Sequence, residues 1–258
     1  MKTLFIGQNS ICLKSVDSTN SYASELLRQS KPAEGSIIYT FEQVKGRGQR
    51  GNIWESEPNK NAILSLILYP GFLHAEKQFL LTKITSLAVA DLMAESLKTQ
   101  SNSEDIKIKW PNDIYAGNKK IAGILIENTL RENILQSAII GIGININQLK
   151  FHSTNFATSI ALLTNKEVDP MQCIDRLCEF IEARYLQLKA NKLESIDTEY
   201  LQRLYQLNEW KKYASMDQIF EGKIIGVSVS GKLQLQLRSD EIKEFDLKEI
   251  GFCNTDKN

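Results

Sequence analysis

Gly46-Arg47-Gly48-Gln49-Arg50-Gly51 sets three glycines and two arginines within six residues. Lacking a Cβ, the glycines reach backbone dihedrals closed to other residues, so successive N–H groups can turn onto one anion. The arginine forks suit a carboxylate or a phosphate. Taken alone, the hexapeptide reads either as an anion cradle or as a basic surface loop. Its company along the chain favours the first. Lys109-Trp110-Pro111-Asn112-Asp113, Lys120-Ile121-Ala122-Gly123 and Gly141-Ile142-Gly143-Ile144-Asn145 each put polar or cationic groups at a strand end or turn. Arg47, Arg50, Lys109 and Lys120 offer cations to anions, while Asn112 and Asn145 offer donor and acceptor edges suited to a heterocycle or amide. Gly123, Gly141 and Gly143 lie inside strand-like runs, a sign that another group approaches the backbone closely. Asp17-Ser18-Thr19-Asn20 supplies N-cap residue types that cap a helix and can also hydrogen-bond a small polar ligand. Such a set neutralises charge more than it moves protons.

Regular elements must carry these groups. Residues 36–41 read as a strand, and 61–69 as a second, nearly all-apolar strand whose two faces are both covered. The long polar loop between them, with Trp54, has the character of a lid; Trp54 either closes it or anchors it. From residue 75 to about 98, Leu80, Ile84, Leu87 and Ala88 share one helical face, with Lys83 and Asp91 outside it. Ile106, Ile108 and Trp110 alternate with lysines in a half-buried strand ending at Pro111. Residues 120–127 and 135–144 are further strands, with a hairpin tip at Asn118-Lys119. Asp169-Pro170 starts a helix with an apolar stripe from Ile174 to Leu188, and a second helix covers about 193–205. Composition changes after Lys211-Lys212. Short strands at 219–229, 233–237 and 242–247 then predict a small β domain at 213–258 behind a main domain at 1–212, with Trp210 at the hinge.

The chain has 258 residues, 42% of them hydrophobic, with 31 basic and 31 acidic side chains. That balance lacks the electrostatic footprint of a nucleic-acid binder, and the longest apolar runs are far short of a membrane-spanning helix. No secretory h-region opens the sequence. Cys12, Cys173, Cys178 and Cys253 form no C-x-x-C pair, and only His74 and His152 are present, so no metal site or disulfide framework is indicated and a cytoplasmic protein with reduced thiols is expected.

In order, D-S-T-N, E-Q-x-x-G-R-G-x-x-G, K-W-P-N-D, K-x-A-G-I-L-x-E and G-x-G-I-N resemble the catalytic domain of biotin protein ligases from about residue 15 to 150. The resemblance implies an α+β fold with a mixed, largely antiparallel sheet and packed helices, of the class II synthetase-like type. A small SH3-like β domain would follow it. It implies an enzyme that uses ATP and Mg2+ to activate biotin as biotinyl-5'-AMP and passes it to a lysine of a biotin carboxyl carrier protein or domain, acting as a monomer or homodimer. Ser18, Thr19, Asn20, Gln43 and Arg47 would surround the ureido ring and tail of biotin, and Lys120 would meet its carboxylate. Gly46, Arg47, Gly48, Gln49 and Arg50 would close over the adenylate, with Trp54 as the loop's aromatic. Lys109, Asn112 and Asn145 would lie on the nucleotide side, and Gly123, Gly141 and Gly143 would let ligand approach the strands. Asp113 would lie near the incoming lysine, to orient or deprotonate it; equally, Asn112-Asp113 is a turn after Pro111. Gln49 and Asn52 depart from the family's G-R-G-R-x-G-R loop and remove two charges, which keeps a catalytically impaired biotin-binding protein as an alternative. Lipoate protein ligase shares the fold, but its R-R-x-S-G-G-G-x-V-x-H-D stretch is absent. A DNA-binding repressor is not expected, because a helix-turn-helix domain of roughly sixty residues does not fit ahead of Asp17.

Overall fold

The computed structural model describes residues 2–98, 105–152, 156–216 and 218–253. Seven strands, β1 (Ser10–Leu13), β2 (Ile37–Thr40), β3 (Ala62–Leu68), β4 (Ile106–Lys109), β5 (Asp113–Ala116), β6 (Lys119–Arg131) and β7 (Ile134–Ile144), form one sheet in the order β1-β2-β3-β7-β6-β5-β4. β1 and β2 run parallel and every other neighbouring pair antiparallel. β3 is buried along its whole length, as its unbroken apolar run demands. Leu64, Leu66 and Leu68 join the main core, whereas Ile67 and Ile139 of β7 pack on Ala23 of α1 (Thr19–Gln29) against the opposite face.

The main-core face is covered by α2 (Phe79–Ser96), beyond which lie α4 (Pro170–Lys189) and α5 (Leu193–Gln202); the short α3 (Ile160–Thr164) precedes α4. Asp169 caps α4 by accepting from Met171 N at 2.9 Å, with Pro170 in the first turn. Burial pushes the thiols of Cys173 and Cys178 up to about 11 and about 12, so both are core fillers rather than reagents. One expectation for α2 needs correction, its start. Residues Ala75–Lys77 form a separate 3-10 turn before it. Lys83 and Asp91 lie outside the apolar face, as the spacing predicts, yet are largely covered, because α4 and α5 pack on that side of the helix. Lys83 lies between the rings of Phe79 and Tyr200 and reaches Asp197 at 2.8 Å. Asp91 accepts from Arg184 and Arg203, each at 2.8 Å.

The hairpin between β5 and β6 turns at Gly117, whose φ of +56° favours a residue without a Cβ, and Lys119 already belongs to β6. Five further strands, β8 (Trp210–Ser215), β9 (Gln218–Val227), β10 (Leu233–Leu237), β11 (Ile242–Phe245) and β12 (Gly251–Phe252), make a second sheet ordered β11-β10-β9-β8-β12. Trp210 is therefore a strand residue, its ring 3.9 Å from Arg238 and 5.3 Å from Lys223. This sheet touches the first one. Trp110 Nε1 donates to Gly231 O at 2.9 Å.

Register prepares one patch of the α1 face. Gly143 pairs with Ile63 on one side and Gly123 on the other, and Gly141 pairs with Ser65 and Leu125. Cross-strand partners share a face, so Gly123 and Gly143 together leave a trough without side chains, and Gly141 leaves a gap beside Ser65.

Candidate active site

A cleft of about 260 Å³ opens over that trough. Its lining gathers segments far apart in sequence: Ser18, Thr19 and Asn20 at the start of α1, Gln43, Arg47, Gly48, Gln49 and Trp54 of the glycine-loop segment, Pro111 to Asp113, Lys120, and the three strand glycines. Each group is fixed by local structure. Ser18 caps α1, and Thr19 and Asn20 are both 3% exposed despite opening a helix. Gln43 Oε1 accepts from Thr19 N at 2.9 Å, joining the loop to the helix. Asn112 is held by a short hydrogen bond from its Nδ2 to Ile124 O.

Charge is concentrated on the cleft's rim. Lys120 Nζ stands 2.7 Å from Asp113 Oδ1, both about one-third exposed, so Asp113 is a strand residue with its carboxylate in the cleft rather than a bare turn. Arg47 donates to Glu127 Oε1 at 2.9 Å and to Ser21 Oγ at 3.3 Å. Trp54 lies across the trough. A Cβ on Gly143 would come within 2.5 Å of its ring and one on Gly123 within 3.0 Å. The Lys120 ammonium is 5.6 Å from the ring centroid. Trp54 Nε1 is buried and has no hydrogen-bond partner among the described residues.

Three expected site residues stand apart from this lining. Gly46 sits at the loop's base, where a Cβ would meet Trp54 O at 2.3 Å. Lys109 turns behind the cleft wall, donating to Tyr115 Oη at 3.2 Å with its ammonium 4.9 Å from the rings of both Tyr115 and Phe252. Burial lowers its pKa, Asp113 works against that, and Lys120 adds to it. Asn145 points its Nδ2 at Thr158 O, 2.9 Å away, and its Oδ1 is buried with no partner among the described residues. The Arg50 side chain lies outside what the structure describes. The loop's backbone also differs from an open cradle. Gly48 N, Asn52 N and Trp54 N donate to Asn52 O, Gln49 O and Gly46 O within the loop itself, so these three N–H groups are not presented to an anion in this conformation.

Several residues that line or support the cleft escaped sequence reasoning. Leu247, Ile250 and Phe252 of the second sheet's region close one side, a placement that only tertiary docking reveals. Ser65 contacts Thr19 and Asn20 from behind; a lone hydroxyl in the apolar run of β3 was its signal. Glu127 closes the K-x-A-G-I-L-x-E motif and meets both Asn20 and Arg47.

The cleft thus offers an enclosed polar end at α1, an uncharged trough, and a rim of opposed charges: a site for an elongated ligand with a polar head and an anionic tail. Comparison with known proteins agrees. The family model of the biotin/lipoate A/B protein ligases matches residues 12–145. The chain is 30% identical over 240 residues to the bifunctional ligase/repressor BirA of Bacillus subtilis, covering 92% of this chain and 72% of that protein. It is 30% identical over 206 residues to the biotin-[acetyl-CoA-carboxylase] ligase of Paracoccus denitrificans, covering 76% and 81%. Among solved structures, the biotin protein ligase from Aquifex aeolicus in complex with biotin and ATP aligns with a TM-score of 0.78 at 26% identity, covering 96% of this chain and 100% of the other.

Proposed function

The chain belongs to the biotin/lipoate A/B protein ligase family, and from that membership we propose that it is an ATP-dependent ligase that adenylates biotin and transfers it to a protein lysine. The observation that carries this reading is the juxtaposition in one cleft of Lys120 with the Ser18-Thr19-Asn20 cluster, Arg47 standing beside that cluster on Ser21 and Glu127. Biotin fits that polarity: the ureido ring goes to the α1 end, the apolar bicycle and tail lie along the glycine trough beside Trp54, and the carboxylate meets Lys120. In the first step the carboxylate attacks the α-phosphorus of ATP and pyrophosphate leaves. Two anions must approach, so the site's work is charge neutralisation and alignment. Lys120 supplies the fixed charge, and Arg47, held at the rim by Glu127, supplies a second. ATP enters as its magnesium complex, with the ion held largely by phosphates and water. Lys109 and Asn145 would serve the nucleotide side, Asn145 with a buried Oδ1 that has no partner among the described residues. In the second step a lysine amine attacks the mixed anhydride, its nitrogen bonds the carbonyl carbon, and AMP leaves. Asp113, ion-paired with Lys120 at 2.7 Å, orients that amine or takes its proton.

The acceptor in this reading is a carrier domain of a biotin-dependent carboxylase. With equal numbers of acidic and basic residues, we propose no nucleic-acid partner. Among the described residues no helix is long and apolar enough to cross a membrane, and a cytoplasmic setting is proposed from the unpaired cysteines.

Pyrophosphate release by the pure protein with ATP, magnesium and either biotin or lipoate tests the assignment. Biotin supports release and lipoate does not; preference for lipoate overturns the reading. A further outcome concerns the loop. Gln49 lines the cleft where the family's pattern has an arginine. Gln49→Arg returns one charge-assisted hydrogen bond of about 1.5 kcal/mol, so adenylate escape slows about tenfold. An unaltered release rate, read by trapping the intermediate from solution, shows that position 49 does not retain it.

A further inference from the structure

We propose that Glu127 is a positioning residue that sets biotin recognition, by fixing which edge of the Asn20 carboxamide faces the cleft while anchoring Arg47 of the glycine loop. This rests on the ligase reading above. Asn20 Nδ2 donates to Glu127 Oε2 at 2.7 Å and to Leu125 O at 3.3 Å, and Arg47 donates to the other carboxylate oxygen at 2.9 Å. A carboxylate and a backbone carbonyl only accept, so both must meet the NH2 end of the amide. The oxygen end is thereby turned to Ser65, whose Oγ donates to Asn20 Oδ1 at 2.6 Å.

The consequence spreads to Thr19. Ser65 has one hydroxyl proton. With that proton on Asn20, its contact with Thr19 Oγ1 at 2.8 Å runs the other way, with Thr19 as donor. Thr19 Oγ1 and Asn20 Oδ1 then both keep free lone pairs beside the cleft. Two acceptors side by side suit a ligand with paired N–H donors, which is what a cyclic urea offers. Reversing the Asn20 amide would put a donor there instead and reject it. The chain of contacts from Ser65 through Asn20 and Glu127 to Arg47 also joins the ring end of the cleft to the loop that closes it.

Glu127→Gln isolates the effect, because a glutamine presents one acceptor and one donor where two acceptors are needed. Whichever way it turns, it faces either Asn20 or Arg47 with donor against donor. Calorimetry without ATP is expected to show biotin binding at least tenfold weaker in Glu127→Gln, with KM for biotin rising in step and by a larger factor than kcat falls. In the ligand-free proteins, tryptic cleavage after Arg47 is expected to run several-fold faster in the variant at an unchanged unfolding midpoint. Biotin affinity within twofold of wild type overturns the proposal. So does an unchanged cleavage rate, which is read without ligand and therefore stands even if the wild-type protein fails to bind biotin, the outcome that would overturn the ligase reading instead. Should Glu127→Gln not fold, Ser65→Ala removes the clasp on the opposite end of the same amide. It is expected to weaken biotin binding in the same way, and wild-type affinity in that variant overturns the proposal equally.

Discussion

Lys120→Ala is expected to lower kcat/KM for biotin-dependent pyrophosphate release by two orders of magnitude or more. Lys120 and Arg47 are the two cationic side chains among the described residues that line the cleft, and Arg47 is already shared with Glu127. Removing Lys120 deletes a charge-assisted contact to the substrate carboxylate, a loss of roughly 3 kcal/mol or about a hundredfold. It also strips Asp113 of the ammonium 2.7 Å away, leaving a bare carboxylate beside an incoming anion. That repulsion adds to the loss, so the variant should bind biotin poorly as well as react slowly. Lys120→Arg keeps the charge but not the geometry and should fall between the two. Calorimetric affinity and turnover within threefold of wild type in Lys120→Ala would remove this residue from the site.

Gly141→Ala should be nearly as damaging, although it adds one methyl group. The new Cβ would lie 2.4 Å from Asn20 Oδ1 and 2.9 Å from Asn20 Cγ. Asn20 has little room to yield, being 3% exposed and bonded to Ser65, Leu125 and Glu127. The start of α1 must therefore shift by about 1 Å, a misplacement that typically costs about a hundredfold in rate, with about 1–3 kcal/mol of overpacking on stability. Gly141 does not have a positive φ, so backbone strain makes no contribution and the effect is steric. Gly71→Ala is the matched control, since a Cβ there meets nothing within 4 Å. Steady-state kinetics beside thermal unfolding separates the two costs; equal behaviour of the two variants would show that the gap over Gly141 is not needed.

How much of this was readable beforehand depends on what kind of signal each residue left. Strand β3 and helix α4 were plain, because an unbroken apolar run and a 3.6-residue stripe report burial directly. The motifs located the cleft's segments, since strand ends and glycines in strands mark where a ligand can approach. Direction was less legible. Lys109 and Lys120 read alike as cations near strand ends, yet one is wrapped by Tyr115 and Phe252 and the other opens to the cleft, a difference made by β5 and by the docking of β12. Lys83 reads only as lying outside the apolar face, because its own helix has no record of the second helical layer that buries it. Glu127 closes a motif that gives it no role, for only the register of β6 against β7 puts its carboxylate between Asn20 and Arg47.

The central claim is that a carboxylate and a nucleotide phosphate meet in this cleft and become joined through one oxygen. Biotin labelled with 18O in its carboxyl group, supplied with unlabelled ATP, magnesium and a carrier domain, tests that bond. If the carboxylate attacks the α-phosphorus and the lysine then breaks the acyl C–O bond, the AMP released carries one 18O in its phosphate. AMP free of label, alongside a biotinylated carrier, would contradict the account.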